Sequence, residues 1–212
     1  MKDFAPIVLV GRGPNVLVVH PAVPPRSINE LVTYLKANPG RLNYASSGNG
    51  SGGHLAAELF KSIAGVNMTH VPYRGNGPAL IDLLSGQVGL MFTSPVPTLP
   101  HVRAGKLRAL ATTGAARSSA MHELPTVAES GFPEYEASLW YGILAPAGTP
   151  APIVNLLNAR INDALRSSEM QPRFSALGVD VAGGSPQAFG LYVAAELKKW
   201  SKVVREAAIR AD

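Results

Sequence analysis

The chain contains no cysteine. That absence excludes disulfides, thiolate catalysis and cysteine-ligated zinc. Long apolar runs are missing too. Residues 7–10 and 16–19 are far short of the roughly 20 residues a membrane span needs. No stretch interleaves Lys or Arg with aromatics, so a net charge of +5 lends nucleic-acid binding no support. The scattered basic excess instead favours acidic small molecules. The five histidines are dispersed, without H-E-x-x-H or comparable spacing, so no metal is expected. No secretory signal is visible: Met1-Lys2-Asp3-Phe4 runs straight into a strand-like segment. Charged residues make up 16% and hydrophobic residues 46%, which argues against both disorder and a coiled coil. The length of 212 residues suits one large or two small domains.

What is present is glycine and serine at one place. Leu42-Asn43-Tyr44-Ala45-Ser46-Ser47-Gly48-Asn49-Gly50-Ser51-Gly52-Gly53-His54 reads as a short strand, a polar turn and the start of an amphipathic helix. Such a turn gathers backbone N–H groups, small hydroxyls and a helix N-terminus around one spot, which suits a carboxylate or phosphate. Upstream, residues 5–10 and 16–19 read as two strands around a Gly11-Arg12-Gly13-Pro14-Asn15 turn. Ser27 and Glu30 form a capping box for a helix carrying Ile28, Leu31, Val32 and Leu35. Downstream, strands at 68–71, 88–92 and 107–112 alternate with helices, and polar turns follow Val71 and Phe92. This alternation predicts an α/β fold with a parallel, helix-covered sheet, whose ligands bind beyond the C-terminal strand ends. A second capping box stands at Thr126 and Glu129. After a strand at 138–145 the C-terminal region offers long amphipathic helices but few strands for them to cover.

Residues 48–53 formally match G-x-G-x-x-G. The acid that a dinucleotide site needs about 20 residues on is absent, because Pro72-Tyr73-Arg74 occupies that place. NAD is therefore rejected. NADP is disfavoured, although Arg74 offers a charge for a 2′-phosphate. The bland alternative is a glycine-rich turn with no ligand. Ser51 with His54 does not make a nucleophile elbow, since position 49 is Asn. His54 is placed in the first helical turn, facing sheet or cleft. Trp140 and Tyr141 are cleft-lining or core aromatics, and Arg74 is a ligand clamp or a solvated loop residue.

Several segments together resemble the Bug family, the TctC-type substrate-binding proteins of tripartite tricarboxylate transporters. They are Leu42-Asn43-Tyr44-Ala45-Ser46-Ser47-Gly48-Asn49-Gly50-Ser51, His70-Val71-Pro72-Tyr73-Arg74-Gly75, Leu83-Leu84-Ser85-Gly86-Gln87-Val88, Gly105-Lys106-Leu107-Arg108-Ala109-Leu110-Ala111, Leu124-Pro125-Thr126-Val127-Ala128-Glu129-Ser130-Gly131 and Ala145-Pro146-Ala147-Gly148-Thr149-Pro150. The resemblance implies a periplasmic-binding-protein type II (Venus flytrap) fold. Residues 18–141 would form a near-complete second lobe, and residues 1–17 and 142–212 a partial first lobe. The chain would then be truncated at its N-terminus, which would explain the shortage of strands. It also implies an extracytoplasmic receptor, not an enzyme, that binds a small carboxylate without a cofactor and passes it to membrane permease subunits. The location would be periplasmic, or cytoplasmic if the sequence is complete as given.

By the same resemblance the ligand-binding residues would be Ser46, Ser47, Asn49, Gly50, Ser51, Tyr73, Gly75 and Thr93, with hinges around Val18 and Gly142. Gly89 and Thr93 depart from the family pattern, which often has acids there. Weak or absent ligand binding and a dimer through the partial lobe are further expectations. Two alternatives stand beside the receptor: a small α/β enzyme using the turn for a phosphorylated or dinucleotide ligand, with His54 and His70 as its bases, and a non-binding remnant.

Overall fold

A computed structural model describes residues 2–210. The elements in order are β1 (Phe4–Pro14), β2 (Val16–Val19), α1 (Ile28–Ala37), β3 (Asn43–Ser46), α2 (Gly52–Ala64), β4 (Thr69–Pro72), α3 (Asn76–Leu84), β5 (Leu90–Thr93), α4 (Pro95–Arg103), β6 (Arg108–Thr112), β7 (Ser138–Pro146), α5 (Ala151–Leu165), α6 (Met170–Ala176), β8 (Asp180–Val181) and α7 (Pro186–Glu206). They form two compact units. The first comprises Met1–Gly13 and Leu139–Lys202, the second Pro14–Ser138 and Val203–Asp212. The divisions fall at 13/14, at 138/139 and inside α7.

In the second unit five strands run in the order β4-β3-β5-β2-β6. β3 is parallel to β4 and β5, whereas β2 lies antiparallel between β5 and β6. The sheet is therefore mixed, which corrects the all-parallel expectation. β2 enters from the other end of the sheet, and all four of its residues are fully buried. One face is packed by Ala79 and Leu83 of α3 with Val88, Leu107 and Met121. Elsewhere in the unit Phe60 of α2 lies against Phe92, Phe132 and Tyr135, and the Tyr135 hydroxyl donates to the Ala56 carbonyl at 3.0 Å.

The capping boxes work in two ways. Ser27 Oγ accepts from the Glu30 amide (3.2 Å), while Glu30 reaches past the cap to accept from the Arg26 amide (2.8 Å). Thr126 and Glu129 bond reciprocally at 3.0 and 3.1 Å but close a turn instead of opening a helix.

In the first unit the sheet order is β7-β1-β8. Here β1 supplies the strand that the C-terminal helices lack. Ile7, Val8, Ala145 and Leu165 make one cluster with Val154, Ile161 and Phe174 packed on it; Leu9, Phe189 and Val193 make another with Trp140 and Tyr192. The hairpin expected at residues 11–15 does not form, because β1 runs on through it and pairs with β8 at Gly11↔Val181 and Arg12↔Asp180. The glycines serve close approach, not a turn. A Cβ at Gly11 would lie 2.7 Å from Val179, and one at Gly13 would lie 2.9 Å from the Gly178 carbonyl oxygen.

A single threonine ties together the second unit's two chain entries. Thr113 Oγ1 accepts from the Asn15 amide (2.8 Å) and donates to the Ala137 carbonyl (3.0 Å), while its backbone bonds both residues again. Thr113 is fully buried, so Thr113→Val leaves a donor and an acceptor unsatisfied. We expect a loss of about 1–3 kcal/mol in urea unfolding with little change in the slope of the transition. Wild-type stability in this variant would show that the bracket contributes nothing.

Candidate functional site

β3 delivers Ser46 to the C-terminal edge of the sheet, and the chain turns through residues 47–51 into α2. Gly48 and Gly50 have φ of 134° and 70°, which an L side chain rarely adopts, and the Ser51 amide closes the turn on the Gly48 carbonyl at 3.2 Å. The next polar loop is stitched to it. The Tyr73 amide donates to the Ser46 carbonyl (3.0 Å), and the Gly75 amide to the Ser47 carbonyl (3.2 Å). Gly53 lets α2 approach the end of β5, since a Cβ there would sit 2.3 Å from the Phe92 carbonyl oxygen. Thr93 follows directly and is buried. The five turn residues, Tyr73 and Gly75 thus converge at the strand ends, and Thr93 ends the strand on which α2 packs.

Their chemical availability differs. Asn49 and Gly50 are exposed, and Ser47, Ser51 and Gly75 are partly so. Ser51 Oγ is buried without a hydrogen bond, as are Asn15 Nδ2 and Thr112 Oγ1 among the described residues. Such orphaned polar atoms mark places where a ligand or water completes the site. Ser46, by contrast, is fully buried and engaged: its Oγ lies 2.6 Å from His70 Nε2 and 3.0 Å from the Gly48 carbonyl. The Gly50 amide donates to His54 Nδ1 (3.0 Å). The Tyr73 hydroxyl donates to Asp82 of α3 (2.7 Å); partial burial and that carboxylate push it up to about 12. Arg74 is exposed on the loop. In the first unit Trp140 packs edge-on against Phe189 and Tyr192, and Tyr141 is half exposed. At Gly89 the space a side chain would need is filled by Leu42, 2.3 Å from a Cβ.

Behind the turn lies a cluster of which sequence reasoning named His54 and His70 but not their contact with each other or with Tyr44, Glu58 and Lys61. The rings of His54 and His70 stack with centroids 3.8 Å apart, and Tyr44 stacks on His70 at 4.8 Å. Glu58 Oε1 accepts from the Tyr44 hydroxyl (2.5 Å) and from Lys61 (2.7 Å), and lies 3.9 Å from His54 Nε2. The signal was legible: His54, Glu58 and Lys61 stand at i, i+4 and i+7 on one face of α2. Burial, and next the neighbouring His54, push His70 down to about 4. Burial also lowers His54, against the opposing pull of Glu58. Among the described residues no group of three or more His, Cys, Asp or Glu could hold a metal ion.

Residues 1–209 match the family model described as the tripartite tricarboxylate transporter family receptor, TctC. The chain belongs to this family. It is a family of receptors, which sets the enzyme alternative aside. BugT of Bordetella pertussis is 39% identical over 206 residues, covering 97% of this chain and 63% of BugT. R. palustris Rpa4515, solved with adipate, superposes with a TM-score of 0.86 at 40% identity, over 98% of this chain and 70% of that one. MatC from Rhodopseudomonas palustris, solved with bound malate, gives 0.81 at 33% identity, over 95% and 69%. The α/β fold is thus that of the family's periplasmic binding proteins. The chain spans about 63% of the length of the first two curated relatives it matches.

Both histidines are held neutral in the folded state, whereas an unfolded histidine titrates near 6.5. As pH falls from about 6.5 towards about 4 the unfolded chain binds protons first, so their contribution to stability is full above that window and is lost through it. His70→Gln should flatten this part of the stability–pH curve, measured by denaturant midpoints between pH 7.5 and 4.5. Parallel curves for variant and wild type would rule out the contribution.

Proposed function

We propose that the chain is an extracytoplasmic solute receptor that binds a small di- or tricarboxylate or related organic acid in the periplasm and delivers it to the permease subunits of a tripartite tricarboxylate transporter. The observation that carries the reading is the anion-suited turn at the strand ends, with Ser51 Oγ buried and unpartnered at the N-terminus of α2. Adipate and malate in the two related structures support the ligand class. Ser47, Asn49 and Ser51 reach the ligand directly. Gly50 and Gly75 shape the backbone, Ser46 braces the turn from within, and Tyr73 and Thr93 close the pocket wall. In this reading residues 18–141 belong to the second lobe, residues 1–17 and 142–212 belong largely to the first, and the chain crossings act as hinges. Closure then follows from higher ligand affinity of the closed state.

A thermal-shift screen against C3 to C8 mono-, di- and tricarboxylates, with phosphate and NADP as controls, tests this. One carboxylate should raise the melting temperature, and Ser51→Ala should reduce the shift. A response confined to NADP would remove the transport reading from this chain, and no response to any carboxylate would put the non-binding remnant in its place.

The first unit exposes Tyr141, Ile143 and Leu144 of β7, Phe4 of β1, and Ile153, Leu156 and Leu157 of α5. A long apolar strand at a sheet edge is a pairing surface, and a second copy covering it would give the dimer. Sedimentation velocity at micromolar concentration should then show a dimer that Ile143→Lys dissociates; a monomer at all concentrations would exclude it.

A further inference from the structure

The stacked histidines hold no ligand in the reading above, yet both are bonded to the turn that does. Gly50 is exposed, and its amide ends on His54 Nδ1 at 3.0 Å. Only a ring nitrogen with a free lone pair accepts that bond, so a proton at Nδ1 abolishes it. Ser46 Oγ has one hydrogen and three neighbours: His70 Nε2 at 2.6 Å, the Gly48 carbonyl at 3.0 Å and the Gly48 amide at 3.2 Å. A neutral His70 with Nε2 free takes the Ser46 hydrogen. A charged His70 donates instead and drives that hydrogen onto the Gly48 carbonyl, which also accepts from the Ser51 amide. Protonation of either ring therefore rewrites the turn's hydrogen bonding from behind.

We propose that His54 and His70 are positioning residues of the anion-binding turn: as a stacked neutral pair they hold the Gly50 amide and the Ser46 hydroxyl in place, and protonation of the pair loosens the turn and releases its ligand. The part concerning the ligand rests on the carboxylate-receptor reading.

The surroundings fit such a pair. Rings 3.8 Å apart resist carrying two charges. From β3, Tyr44 stacks on His70; from α2, Glu58 attracts a proton to His54 while Lys61 repels it. The C-terminal segment adds Arg210, which with Asn49 and the two rings lines a cleft of about 380 Å³; Glu206 lines a neighbouring one with Glu58 and Lys61. α7 ends by turning through Ala208 in the left-handed region (φ 51°), and this carries Ile209 and Arg210 to that cleft. The cleft gives solvent protons a route to both rings, although His54 itself is only 5% exposed.

The test uses the full chain without ligand. Histidine ring nitrogens and the Gly48 and Gly50 amides are followed by ¹H–¹⁵N NMR from pH 7.5 to 3.5. His54 should show an unprotonated Nδ1 at pH 7.5, and both amides should shift along the imidazole titration. His54→Asn keeps an acceptor near the Nδ1 position and His70→Gln keeps one near Nε2, and neither replacement titrates. The double variant should show flat amide curves. His54→Phe keeps the ring stack but not the acceptor, and its Gly50 amide should exchange with solvent about tenfold faster or more.

With adipate as probe, the ratio of Kd at pH 4 to Kd at pH 7.5 should be about twofold or more larger in wild type than in the double variant, a comparison in which the ligand's own titration cancels. Amides that stay still while the rings titrate, or a double variant that follows wild type, would overturn the proposal. Should adipate bind at no pH, the amide titration still decides the positioning role by itself, and the receptor reading loses its support separately.

Discussion

β2 is the element on which the second unit depends. Its four residues, Val16 to Val19, are wholly buried and pair on both sides, with β5 and with β6. A strand that arrives from the opposite end and fills an interior place in a sheet brings its own N-terminus to the edge where its neighbours finish. Val16 is thereby in register with both Thr93 and Thr112. Asn15, immediately before it, is drawn into the same buried polar edge and held there by Thr113. One buried strand thus decides where the chain enters the unit and which residues surround the ends of β5 and β6.

The turn after β3 is wired by the same economy. Its carbonyls at Ser46 and Ser47 are taken by the following loop, its Gly50 amide by His54, and its Ser46 hydroxyl by His70. What stays open is Ser51 Oγ, buried without a hydrogen bond, beside the partly exposed Ser47. A site in which most backbone groups are already paired changes shape little when a ligand arrives, and preorganisation of this kind lowers the entropic cost of binding.

Much of this was legible in the sequence, and the rest was hidden for definite reasons. The helix and strand alternation from α1 to β6, the Gly-Ser-Asn turn and its place at the strand ends follow from local periodicity and turn chemistry. The direction of β2 does not, because an apolar run reads the same in either orientation and its partners lie far away in the chain. The false hairpin at residues 11–15 arose because glycine serves turns and close packing equally well; only the proximity of Val179 and the Gly178 carbonyl separates the two. The capping box at Thr126 and Glu129 is real, but a box satisfies amides in a turn as readily as at a helix start. The stacking of His70 on His54 was hidden for another reason. It joins residues of different elements, and no spacing rule encodes that.

Gly53 carries a consequence for how such a receptor could change its ligand. The helix start is seated against the Phe92 carbonyl so closely that no side chain fits between them. The distance from α2 to β5 is therefore not adjustable by small substitutions. In the proposed receptor, new ligand preferences would come from exchanges at the rim, where positions 47 and 49 retain solvent-facing surface. The platform is rigid and its edge is interchangeable, an arrangement that would let one scaffold diversify into many receptors if the turn holds the ligand's acidic group as proposed.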